Sequence, residues 1–257
     1  MSRSFRRWVP VLTMLALAIT LFPAVSSANH SWGGYHWART ANPFTIALGN
    51  NLTGAWTTSP SGPGYLPLIS ADWTASSVLD TAIVEGARFK RCGAVNGRAE
   101  VCNDRYGRNG WLGLASIWAT GTHITKATVK VNDSYYDSSP YNTPAWRQSV
   151  LCQEVGHVFG LGHQSEDPNV NMGSCMDYYK VPNLHPNQHD YDQLVSIYSH
   201  LDTTSTAGLI TTAAGSGRGL KRIDETTYVE DVGPGQKRFV FVFWKDHGRA
   251  HGVPDEG

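Results

Sequence analysis

The stretch that most constrains how this chain can fold is Cys152-Gln153-Glu154-Val155-Gly156-His157-Val158-Phe159-Gly160-Leu161-Gly162-His163. Upstream, Asn142-Thr143-Pro144-Ala145-Trp146 places a polar cap before a proline in the first turn, which predicts a helix running to about Phe159 and stopping at Gly160. On that helix residues 153 and 157 lie one turn apart and point to one side, so both can reach one ion. Glu154 sits beside them, where it can hold and deprotonate a metal-bound water. Gly160 can adopt the left-handed conformation that ends a helix and turns the chain sharply back. His163 then approaches the same ion from another direction. Each histidine alone reads as an ordinary core or surface residue; the set together reads as a metal site.

The segment resembles the metzincin zinc-protease pattern H-E-x-x-H-x-x-G-x-x-H followed by a Met-turn. Glu154, His157, Gly160 and His163 match it, and a methionine follows in Ser174-Cys175-Met176-Asp177-Tyr178. Over about Pro43 to His200 the resemblance implies an α+β fold: a twisted mixed sheet with a helix behind it, the active-site helix, and a C-terminal part holding the Met-turn. It also implies one Zn2+ per chain, a protein or peptide substrate, and Met176 as an apolar floor beneath the ligands. In the astacin-like and serralysin-like branches, a tyrosine two residues after that methionine lies near the zinc, as a ligand or as a hydrogen-bond donor to the developing oxyanion. Tyr178 has that spacing; a packed aromatic is the plain alternative.

One position departs from the pattern. Gln153 stands where the family has histidine, and an amide oxygen is a poorer zinc donor than imidazole nitrogen. Gln153 is then an oxygen ligand, or another group such as Tyr178 completes the shell, or the site has lost its metal. The first reading is preferred, because a decayed site ordinarily loses its base and its other ligands too. The expected function is a secreted metal-dependent endopeptidase: Gln153, His157 and His163 hold the ion, Glu154 acts as general base, and Tyr178 assists. The alternative is a secreted, non-catalytic binding module on the same scaffold.

The chain's start supports export. Basic residues at Arg3, Arg6 and Arg7, an apolar run from Trp8 to Val25 and the small residues Ser26-Ser27-Ala28 form a signal-peptide pattern, with cleavage expected after Ala28. Without those three arginines, 18 basic residues face 21 acidic ones. That balance argues against a nucleic-acid partner, which needs clustered Lys and Arg. No later stretch is apolar enough to span a membrane, so none is expected to hold the processed chain there. Export makes disulfides plausible for Cys92, Cys102, Cys152 and Cys175. Of three possible pairings, the local one, Cys92–Cys102 with Cys152–Cys175, closes two short turn-rich loops. Lys90-Arg91-Cys92-Gly93 is similar to the cysteine-switch peptide of matrix metalloproteases, but it follows a predicted helix, lacks flanking prolines and has Cys102 as a partner. The match is rejected.

Along the chain, 29–201 reads as the metalloprotease-like domain, 202–220 as a linker and 221–257 as a C-terminal β-hairpin segment. Pro43–Leu48 predicts a strand. Leu66–Ala87 carries helical spacing, with a helix starting near Ser70 or Asp72. Trp111–Trp118 and His123–Val131 predict strands, the second alternating as a strand with one buried face does. Asn187–His200 predicts a last helix. Thr227–Glu230 and Arg238–Trp244 flank Gly233-Pro234-Gly235, a hairpin signal; Phe239–Trp244 is too adhesive to sit exposed and is expected to pack on the domain or a partner. Asn51-Leu52-Thr53 and Asn132-Asp133-Ser134 are glycosylation sequons.

Overall fold

Strand-forming runs broken by two long helical segments generate the architecture of the computed structural model, which describes residues 30–87, 91–208, 219–246 and 251–256. The expected signal peptide and residues 209–218 of the expected linker lie outside the described residues. In chain order the elements are β1 (His36–Trp37), β2 (Phe44–Asn51), α1 (Tyr65–Thr74), β3 (Leu79–Glu85), β4 (Arg98–Asp104), β5 (Trp111–Thr120), β6 (His123–Asn132), α2 (Asp133–Tyr136), α3 (Pro144–His157), α4 (Gln188–Ile197), β7 (Lys221–Arg222), β8 (Thr227–Gly233) and β9 (Gln236–Trp244). The strands form one sheet in the order β3-β2-β4-β6-β5-β9-β8-β7, with β1 beside the start of β6. β3, β2, β4 and β6 run parallel. β5 reverses against β6, and β9, β8 and β7 continue antiparallel. The fold is therefore mixed α+β on a twisted sheet, with α3 packed on β5, β6 and α1.

Local chemistry explains most elements. Thr143 caps α3, its hydroxyl accepting from the Trp146 amide at 3.3 Å, with Pro144 in the first turn. Asn187 and Asp190 form a capping box at α4. The helical spacing of 66–87 misleads in its second half: α1 begins earlier, at Tyr65, and Leu79–Glu85 is strand β3. Pairing of β3 with β2 along seven residues outweighs the weak local preference. β4 lies where a loop is expected, because β2 and β6 on either side supply its ladder. The alternation in β6 predicts an exposed outer face, yet Thr128 and Lys130 are buried. At Lys130 the C-terminal residues provide the cover, with Lys130 Nζ donating to the Glu256 carbonyl at 2.9 Å. The Asn132 sequon is buried too: its amide nitrogen donates to Gly107 O, Asn109 Oδ1 and Trp111 O.

Both expected disulfides are present, Cys92–Cys102 and Cys152–Cys175, each with Cα atoms 6.0 Å apart. No helix among the described residues is long and apolar enough to cross a membrane. The C-terminal hairpin forms, and β9 pairs with β5 from Thr120↔Gln236 to Trp111↔Trp244. Phe239, Phe241 and Phe243 enter the main core, while Val240, Val242 and Trp244 pack with Trp111, Leu114 and Tyr228 on the opposite face. An apolar run buried on both faces is what an interior strand requires.

Candidate metal centre

α3 carries Gln153, Glu154 and His157 into the interior, none more than 1% exposed. Two glycines make room for this. A Cβ on Gly113 of β5 would stand 2.6 Å from Glu154 Oε1, and one on Gly156 would stand 2.4 Å from Met176 Sδ. Met176 thus lies directly beneath α3, and the Cys152–Cys175 bridge ties its turn to the helix. The turn is held from below: Ser174 Oγ donates to Asp190 Oδ2 at 2.5 Å, and the Gln164 amide donates to Met176 O at 2.7 Å.

After α3 the chain reverses at Gly160, whose φ is +96° and whose Cβ would fall 2.2 Å from Tyr35 O. Both facts demand glycine. The turn is braced by the start of the described chain, where Trp32 N donates to Gly160 O at 3.0 Å and Gly162 N to His30 O at 2.5 Å. It delivers His163 against His157, ring centroids 4.5 Å apart and planes 87° apart. His157 Nδ1 lies 2.8 Å from Leu161 O. A carbonyl only accepts, so the proton is on Nδ1 and Nε2 presents its lone pair. His163 Nδ1 faces Glu166 Oε1 at 3.3 Å, the carboxylate–histidine arrangement that orients a ligating ring.

The polar atoms facing inward are unusual. Both amide atoms of Gln153 and His163 Nε2 are buried without a hydrogen-bond partner, and the fully buried Glu154 carboxyl has no side-chain partner beside the Ala115 backbone. Buried polar groups are ordinarily paired, and each left unpaired costs about 1–3 kcal/mol. Burial pushes the Glu154 carboxyl well above its ordinary value, offset in part by the Ala115 backbone. Burial, reinforced by His163, holds His157 well below its ordinary value, so its ring is neutral and able to ligate. An amide oxygen and two imidazole nitrogens, with a carboxylate alongside, fit a borderline divalent ion such as zinc.

Tyr178 is brought to the same place, its ring centroid 4.4 Å from that of His163. Its hydroxyl donates to Val242 O of β9 at 2.6 Å. Phe241 of β9 stacks on His157, centroids 4.5 Å apart and planes 10° apart. β9 therefore lies across the site, a placement that no local spacing announces. Beside it a cavity of about 180 Å³ opens between His163, Glu166, Trp32 and Phe241. Away from these residues, His36, His123 and Asp202 form a group that could hold a metal ion, with ligand atoms all within 4.8 Å of one another. Its members are far apart in sequence, and only pairing of β1 with β6 brings the two histidines together. No protein-family model matches the chain, and no curated protein matches it either.

Proposed function

We propose that the chain is a secreted, metal-dependent endopeptidase of the metzincin kind, with its cleft closed by its own strand β9. The observation that carries this reading is the set of buried, unpartnered polar atoms on Gln153 and His163, with the buried Glu154 carboxyl alongside and a His157 ring whose Nε2 is left as an acceptor. The Gly160 reversal, Met176 beneath α3 and the mixed sheet support the metzincin form of it. Two disulfides and the basic-then-apolar start support export.

Gln153, His157 and His163 would hold a divalent ion, which would supply Lewis-acid polarisation of a scissile carbonyl and a lowered pKa for water. Glu154, one residue from Gln153, accepts the proton of the attacking water and returns it to the leaving amine. Tyr178 donates its hydroxyl to a peptide carbonyl, here that of Val242. The same bond strengthens as charge develops on a substrate oxygen.

β9 runs antiparallel on β5 beside His157, which is the direction and place of an extended peptide added to a strand edge. The peptidase is latent while β9 stays there. β9 and Gln153 also favour a second reading, a non-catalytic module on this scaffold. The test measures metal content and casein cleavage for the natural protein, Gln153→His and Glu154→Ala. Each is assayed intact, and again after nicking at a protease site inserted between Gly208 and Gly219 and stripping of the hairpin in mild denaturant. The peptidase reading expects chelator-sensitive cleavage that rises on stripping and vanishes in Glu154→Ala with metal retained. No metal and no cleavage in either state defeats it in favour of the module.

A further inference from the structure

Apart from the residues on α3, three imidazoles lie around one carboxylate. His36 in β1 lies opposite His123 at the start of β6 in the parallel register. His200 and Asp202 come from the segment after α4. His36 Nε2 is 3.1 Å from His200 Nε2 and 3.6 Å from Asp202 Oδ2. Asp202 Oδ1 is 3.2 Å from His123 Nε2 and 3.7 Å from His200 Nε2. Ligand atoms at the corners of a tetrahedral zinc site, with bonds of about 2.0–2.1 Å, stand about 3.3 Å apart. One ligand atom each from His36, His123 and Asp202 lies within 4.8 Å of the others, close enough to converge on one ion, while His200 stands at the edge of this set, next to His36 and Asp202.

The surroundings prepare these atoms for an ion. His36 Nδ1 is 2.8 Å from Gly34 O, which keeps the proton there and leaves Nε2 as a lone pair pointing at the cluster. Arg39, only 1% exposed, binds Asp202 Oδ2 through its guanidinium at 2.8 Å and its backbone amide at 3.2 Å. That holds the carboxylate in one orientation with Oδ1 turned to the histidines. We infer that His36, His123 and Asp202 form a zinc site, separate from the residues on α3, and that the half-exposed His200 ring beside them turns in as the fourth protein donor, which makes the site structural. It would clasp β1, the β5–β6 turn and the segment after α4 together. Because β1 directly follows the residues that brace Gly160 and Gly162, the clasp also steadies the loop that carries His163.

A hydrogen-bonded histidine cluster without metal is the competing account, and metal counting separates the two. Full-length natural protein, His123→Ala, His200→Ala and Gln153→Ala are stripped with chelator, reloaded with zinc, gel-filtered and assayed for zinc. His123 and His200 side chains are 38% and 51% exposed, so their loss leaves the core intact. The expected result is one equivalent fewer in both histidine variants, while Gln153→Ala keeps that equivalent whatever happens on α3. Cobalt-loaded protein should lose a tetrahedral visible band in the same two variants. Zinc content and cobalt spectrum unchanged in both overturn the site. So does an equivalent that disappears in Gln153→Ala but persists without His123 or His200.

Discussion

Gln153 is the residue on which the chemistry turns. It stands where the metzincin pattern has its first ligand, fully buried, with neither amide atom hydrogen-bonded. If its oxygen faces the ion, Gln153→His replaces a weak donor by a strong one. Zinc affinity should rise by roughly tenfold or more, about 1.4 kcal/mol, in competition with a chromophoric chelator; Gln153→Ala should lower it. Unchanged affinity in both would remove Gln153 from the ligand set. Gly160 allows a sharper forecast, since a side chain there meets both a positive φ and the Tyr35 carbonyl. Gly160→Ala should cost about 2–4 kcal/mol in urea unfolding. These residues are legible in the sequence because a helix and a glycine turn gather them within one short segment. His36, His123 and Asp202 are not legible, because the pairing of β1 with β6 and the return of the chain after α4 assemble them from distant segments.

At the scale of elements, β9 matters most. Its phenylalanines fill the core beside α3, and its backbone completes the sheet beyond β5. Phe241→Ala removes both the contact with His157 and a buried aromatic, and should lower stability by about 3–5 kcal/mol. Thermal unfolding checks it; a shift of less than a degree would mean that β9 is only loosely docked. The Cys152–Cys175 bridge spans 23 residues and joins α3 to the Met176 turn. Replacing both cysteines by alanine should cost roughly 3 kcal/mol by loop entropy, read in the same way. The hairpin is legible from turn residues between apolar runs, and its adhesive composition signals that it must be covered. Which edge it covers is a tertiary matter. β3 is misread for a related reason: Val78, Leu79, Ala82 and Ile83 fit a helix face as well as a strand, and only the β2 edge decides.

Across the whole molecule, the described chain is one mixed sheet with buried polar groups gathered on α3 and the turn after it, and with a strand from its own C-terminal part lying against them. The two features support the proposed latent peptidase, in which Gln153, His157 and His163 would hold the ion, Glu154 would act as base and β9 would set access. The account depends on an ion between Gln153, His157 and His163. An anomalous difference map at the zinc edge, from crystals of natively purified protein, tests this most directly. The account predicts a peak within about 2.0–2.2 Å of His157 Nε2, His163 Nε2 and Gln153 Oε1. A map with no peak there, and with Gln153 and His163 hydrogen-bonded to ordered water instead, would contradict it.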